Sequence, residues 1–175
     1  MAKKTLLILL VFVSLALFFP LFLPKTYHVE RSVVIDASPD SVYPYIQDFR
    51  EWSKWSSWAE SDPDQKVEVT GEPGKPGHSQ AWDGPENGKG TMTIDSASPN
   101  AFVSMVLNFE EPQPMKATSK LELEAIGNGT KVIWHNEGDL DYPIGRYFGI
   151  FLDGMIGQDF EKGLAKLKAS VEGKK

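Results

Sequence analysis

The sequence predicts an α+β fold: a curved antiparallel sheet wrapped on a long carboxy-terminal helix, preceded by an amino-terminal transmembrane helix. Three observations carry that expectation. Thr5 to Pro24 is a run without one charged side chain. From Tyr27 to Gly138, short segments rich in β-branched residues alternate with turns built on glycine, proline and asparagine. In the last segment Ile156, Phe160, Leu164, Leu167 and Val171 share one helical face, the stripe that a helix laid across a sheet has to bury.

The apolar run comes first. As a helix rising about 1.5 Å per residue it is roughly 30 Å long, the thickness of a bilayer's hydrocarbon core. A helix there satisfies its own backbone groups, and Leu, Ile, Val and Phe gain by leaving water. Three readings are open: an uncleaved anchor, a cleaved signal peptide, or a buried core helix. A signal peptide has a shorter apolar stretch and a small-x-small site. Ser14-Leu15-Ala16 lies in mid-run, and Leu23-Pro24-Lys25-Thr26 offers no pair of small residues. An anchor is therefore the expectation; cleavage would make the protein secreted. Pro20 and Pro24 should kink or end the helix at its exit. With Lys3 and Lys4 held inside, the rest faces outward. That makes a single-pass cell-membrane protein with an extracytoplasmic domain, periplasmic in a Gram-negative cell. Residues 1–26 are then the anchor and a short linker, and residues 27–175 one domain held close to the membrane.

Composition narrows the function classes. The whole chain has 18 basic and 24 acidic residues, a net charge of −6. Without Lys3 and Lys4 the balance is 16 against 24, or −8. An acidic domain lacking a basic run is unsuited to nucleic acid, whose phosphates must be neutralised. The absence of cysteine removes disulfides, thiol nucleophiles and thiolate metal sites.

Tyr27 to Asp36 reads as a strand. Ser38-Pro39 starts a helix, with Ser38 as cap and Pro39 in the first turn. A second short helix should cover Phe49 to Trp55. Strands follow over Gln65–Thr70, His78–Trp82, Gly90–Ser96, Ala101–Phe109, Met115–Ala125 and Lys131–Gly138. Asn87-Gly88 is the strongest hairpin signal. Successive hairpins make the sheet antiparallel. Gly145, Gly149, Gly154, Gly157 and Gly163 each cost about 1 kcal/mol relative to alanine inside a helix. Either close approach to the sheet or a ligand offsets that cost, or Tyr142 to Phe151 is partly loop.

Four pieces then form a pattern: a strand followed by Ile35-Asp-Ala-Ser-Pro-Asp-Ser-Val-Tyr43; Trp52-Ser-Lys-Trp-Ser-Ser-Trp58; Gly129-Thr-Lys-Val-Ile-Trp134; and the closing helix ending Glu161-Lys-Gly-Leu-Ala-Lys-Leu-Lys168. In that order they resemble the START/Bet v 1-like superfamily, and within it the bacterial polyketide cyclase/dehydrase-type (SRPBCC) proteins, from Tyr27 to about Val171. The resemblance implies a helix-grip fold enclosing a cavity for a small, mostly apolar ligand. It does not imply cyclase chemistry, because fold does not fix function.

The candidate cavity lining is Trp55, Trp82, Met105, Leu107, Trp134, Tyr147, Phe151 and Met155, aromatic and sulfur-bearing residues of the kind an apolar ligand requires. A solid core is the alternative. Trp52, Trp55 and Trp58 suit a lid over the mouth, a membrane-interface contact, or core packing. No metal is expected, since His28, His78 and His135 lie far apart along the chain without ligand spacing. No cofactor is expected, since no glycine-rich phosphate loop is present. Asp139 and Asp141 read as solvated loop charges, and Ser38, Ser53 and Ser79 lack a nucleophile-elbow context. The expected function is membrane-anchored binding of a hydrophobic small molecule or lipid, without catalysis. A cyclase/dehydrase-like enzyme using His or Asp acid–base chemistry is one alternative; an interaction module for another envelope protein is the other.

Overall fold

The computed structural model describes residues 2–173. The apolar run is a helix, α1 (Ala2–Phe18), closed by a 3-10 turn (Phe19–Phe22) that contains Pro20. Lys3 to Phe22 has a mean hydropathy of 2.7, long and apolar enough to cross a membrane, and only 6% of that stretch is buried. A core helix would be covered on most sides, so that reading falls. An anchor and a signal sequence both fit.

Seven strands follow: β1 (Thr26–Ile35), β2 (Lys66–Thr70), β3 (Ser79–Gly84), β4 (Gly88–Ser98), β5 (Phe102–Glu111), β6 (Met115–Ile126) and β7 (Gly129–Asp139). They form one antiparallel sheet in the order β1-β7-β6-β5-β4-β3-β2. Hairpins join β3 through β7 in sequence, with Gly88 at positive φ in the β3–β4 turn, as Asn-Gly turns demand. Three short helices carry the chain from β1 to the opposite edge: α2 (Pro39–Gln47), α3 (Phe49–Trp52) and α4 (Trp58–Ser61). Ser38 does not cap α2 with its side chain. Its carbonyl accepts from the amides of Ser41 and Val42, while its hydroxyl faces that of Ser41 at 3.3 Å.

The last helix, α5 (Ile144–Glu172), begins about three turns before Ile156. Of the segment Tyr142 to Phe151, Tyr142 and Pro143 form a turn and the rest, from Ile144, is helical. Phe160, Leu164, Leu167 and Val171 are buried against the sheet, as their spacing requires. At the centre, the Trp134 ring stacks on Phe160 with centroids 4.0 Å apart and planes 5° from parallel. Trp55 and Trp58 meet Trp134 edge-on at 5.4 and 5.7 Å. The buried indole N–H groups are used: Trp52 donates to the Ile46 carbonyl, Trp55 to the Tyr45 carbonyl and Trp134 to the Ser119 hydroxyl. A Cβ on Gly163 would stand 3.1 Å from the Trp134 ring, so the glycine lets the helix approach this stack. Trp52 and Trp55 are thus core residues, not a lid and not a membrane contact.

Candidate functional site

Alternate residues of each strand face α5, and the register orders them into rows across the sheet. One row crosses His78, Ile94, Met105, Ser119, Asn136 and Val29, and every one is buried. The next runs through Gln80, Met92, Leu107, Ala117, Gly138 and Tyr27. The last is Trp82, Gly90, Phe109 and Met115. Trp82, Leu107 and Phe109 are only partly buried and Met115 is exposed. The concave face therefore goes from solid packing to open apolar surface towards one end.

That end is also where the chain enters and where α5 starts. Thr26 pairs with Asp139, and the Leu140 amide donates to the Lys25 carbonyl at 2.7 Å. The first turns of α5, with Tyr142 just before them, grip the end of the apolar run. Tyr147 Oη donates to the Ala16 carbonyl at 2.9 Å, Arg146 Nη1 to the Pro20 carbonyl at 3.0 Å, and Tyr142 Oη to the Leu17 carbonyl. The Tyr147 ring stacks on Phe19. Ile144, Phe148, Phe151 and Met155, spaced by four, three and four residues, form a stripe that is 51–74% exposed. A helix normally turns such a stripe inward. Here it faces out, beside the membrane-length helix.

Farther along, α5 is fastened by charge. Arg31 leaves the concave face of β1 and its guanidinium bonds Asp153 at 3.0 Å and Glu161 at 2.8 Å. Gly157 lies between those carboxylates in sequence, and a Cβ there would stand 2.1 Å from Arg31 Nη2. Hydrogen bonds from Arg31 hold the Asp153 carboxyl below its ordinary range, and the two carboxylates hold Arg31 protonated.

Most polar groups within the concave face are satisfied locally, the buried Nδ1 of His78 being an exception. Tyr27 Oη donates to Asn136 Oδ1 at 2.8 Å, and Asn136 Nδ2 donates to the Thr118 carbonyl. Burial pushes the Tyr27 phenol up to about 12. Ser119 accepts from Trp134 and donates to the His135 carbonyl. His78 is fully buried, stacked on Phe49 and accepting the Phe49 amide, which ties the α2–α3 corner to the sheet. His135 lies on the opposite, outer face, and Asp139 is exposed.

Residues 26–172 match the family described as polyketide cyclase/dehydrase and lipid transport. The chain belongs to this family. No curated protein matches it. Among solved structures, a protein of Thermobifida fusca superposes with a TM-score of 0.64 at 18% identity, over 82% of this chain and 92% of its own. Protein CV1439 of Chromobacterium violaceum gives 0.60 at 18%, over 85% and 98%. Ara h 8.0201 gives 0.58 at 15%, over 85% and 99%. At those identities the likenesses establish the Bet v 1-like helix-grip fold, and the family description points to hydrophobic small molecules.

The eight residues singled out as cavity lining divide. Trp55, Met105 and Trp134 sit within the solid core, because the aromatic stack fills the space they were expected to border. Trp82 and Leu107 lie on the half-open rows. Tyr147 grips the apolar run, and Phe151 and Met155 are exposed on α5. Phe109, which meets Trp82 edge-on at 5.6 Å, completes the open end and was missed. Its alternation with Leu107 was the available signal. An open cleft of about 500 Å³ lies at the hairpin tips around Asp64, Asp83, Glu86 and Glu111; its charged lining does not suit an apolar ligand.

The expectation of no metal rested on distance along the chain. The β1–β7 register removes that distance: His28 pairs with Glu137 and Glu30 with His135. One ligating atom from each of His28, Glu30 and His135 lies within 4.8 Å of the others.

Proposed function

We propose that this protein is a membrane-tethered binding protein for a hydrophobic small molecule or lipid, which enters at the anchor end of the grip and is not chemically altered there. One observation carries the reading: the half-open rows of the sheet and the outward stripe of α5 lie at the end where the membrane-length helix joins. Apolar surface left uncovered there gains by meeting lipid or a lipid-derived guest. Burying about 300 Å² of ligand at roughly 25 cal/mol per Å² offers a gross ~7.5 kcal/mol, before the cost of association. The anchor keeps the domain on the outer side of the cell membrane, with the stripe of Ile144, Phe148, Phe151 and Met155 resting in the interface.

Catalysis is disfavoured by the placement of the titratable groups. Acid–base chemistry on a bound carbonyl requires a positioned proton carrier within hydrogen-bond reach. His135 is on the outer face, Asp139 is in solvent, the Tyr27 hydroxyl is bonded to Asn136, and His78 is sealed in the packed row with its Nε2 accepting the Phe49 amide.

The test is native mass spectrometry of the full chain released gently from nanodiscs. A retained apolar guest, weakened by Phe109→Asp, is the expected result. Repeated absence of any guest, together with no binding across a panel of lipids, would overturn the reading.

A further inference from the structure

The outer face of the sheet carries a cluster that the ligand-binding reading leaves unused. Across β1, β7 and β6 it brings together His28, Glu30, His135, Glu137, Thr118, Lys120 and Glu122. Glu30 Oε2 stands 3.7 Å from His28 Nε2 and 3.4 Å from His135 Nδ1. Ligands at about 2.0–2.2 Å around a tetrahedral zinc ion are separated by roughly 3.3–3.6 Å. The Glu30 oxygen is thus near coordination spacing from each facing nitrogen, and all three atoms lie within 4.8 Å of one another, so an ion would draw the two imidazoles together.

A second feature points the same way. Each imidazole has a carboxylate behind its other nitrogen. His135 Nε2 faces Glu122 Oε2 at 3.3 Å, and His28 Nδ1 faces Glu137 Oε2 at 3.6 Å. These carboxylates are held in turn: Glu122 by Lys120, and Glu137 by the Thr118 hydroxyl at 3.3 Å. Histidines that ligate metals characteristically donate their remote N–H to a carboxylate, which fixes the tautomer and raises the basicity of the ligating nitrogen. His135 Nε2 is buried without a hydrogen-bond partner, and Glu122 is the carboxylate placed to receive it once the ring is fixed by an ion. The formal charges agree: three carboxylates against one lysine leave −2, which a divalent cation offsets. His28 and Glu30 are exposed, so water can reach the fourth position of an ion held there.

We propose that His28, Glu30 and His135 form a binding site for one divalent transition-metal ion of the zinc class on the outer face of the sheet, with Glu122 and Glu137 as orienting carboxylates. Imidazole with carboxylate, and no thiolate, suits zinc or nickel; magnesium prefers an all-oxygen shell. An ion here links the edge strand β1, which leads from the membrane helix, to β7.

The test uses the full chain without a histidine tag, in detergent micelles. Zinc is titrated by calorimetry, and the melting temperature is recorded with and without zinc. The expected result is one zinc per chain with a raised melting temperature and no such response to magnesium. His28→Asn and Glu30→Gln should each weaken zinc binding at least ~10-fold, and Glu122→Gln about 10-fold. His28 is half-exposed, so H28N should leave the metal-free melting temperature unchanged, which separates lost binding from lost folding even where His135→Asn fails to fold. Zinc binding unaffected by H28N and E30Q, or no stoichiometric binding at 100-fold excess of zinc, would overturn the proposal.

Discussion

In the last four turns of α5, Phe160, Leu164, Leu167 and Val171 point into the sheet; in the first three, Ile144, Phe148, Phe151 and Met155 stand in the open. Both stripes have helical spacing and both are apolar. What differs is what lies opposite. The second half meets Trp134, Trp55 and Trp58, whose rings fill the grip. The first half meets the end of the apolar run through Arg146 and Tyr147, joined by Tyr142 just ahead of the helix. One helix thus serves as a core element at one end and as exposed apolar surface at the other. Apolar periodicity alone tells only that a face seeks cover, not which cover it finds.

The largest effect should come from the packed half. Phe160→Ala is expected to cost about 3–5 kcal/mol in urea unfolding of the full chain in detergent, whereas Phe151→Ala should stay within ~0.5 kcal/mol. Equal losses would erase the division between the halves. Glycines sharpen it further. Gly163→Val crowds the Trp134 stack and should cost about 1–3 kcal/mol. Gly154 has nothing within 4 Å of a would-be Cβ, so Gly154→Ala should stabilise by up to ~1 kcal/mol.

Because the chain has no cysteine, single labels are clean probes of the open half. An environment-sensitive fluorophore at Phe148→Cys should shift to the blue when the protein moves from detergent-free amphipol to lipid nanodiscs, while one at Lys162→Cys should not. Identical responses at both positions would remove the membrane interface from the account. The smallest effect concerns the fastening between the halves. Asp153 titrates below its ordinary range because it bonds Arg31, so its contribution is full above the unfolded-state pKa and is lost as pH falls through the folded one. Asp153→Asn should therefore lower the melting temperature slightly at neutral pH, and the two proteins should converge in acid. Both side chains reach solvent, which keeps the effect small.

The sheet and the closing helix were legible because their signals are local. Asn87-Gly88, the alternation of Leu121 and Leu123 with Lys120 and Glu122, and the stripe from Ile156 to Val171 each depend on neighbours within a few residues. The site was less legible because it depends on pairings between distant segments. Whether Trp134 borders a cavity or fills it is decided by where α3, α4 and Phe160 arrive. His28 and His135 look unrelated along the chain, and only the β1–β7 ladder makes them neighbours. The start of α5 at Ile144 was obscured by Gly145 and Gly149, which weaken the helical signal.

β1 is an edge strand, and its first residue follows the apolar run after only Leu23, Pro24 and Lys25. A load applied along β1 from residue 26 runs at right angles to the ladder that pairs Thr26 through Ile35 with β7. Loaded in shear, those bonds share the force rather than opening one after another. A pull in single-molecule stretching from residue 26 should then meet higher rupture forces than one applied at the short opposite edge, β2, which would make this edge strand the mechanical clamp of the molecule.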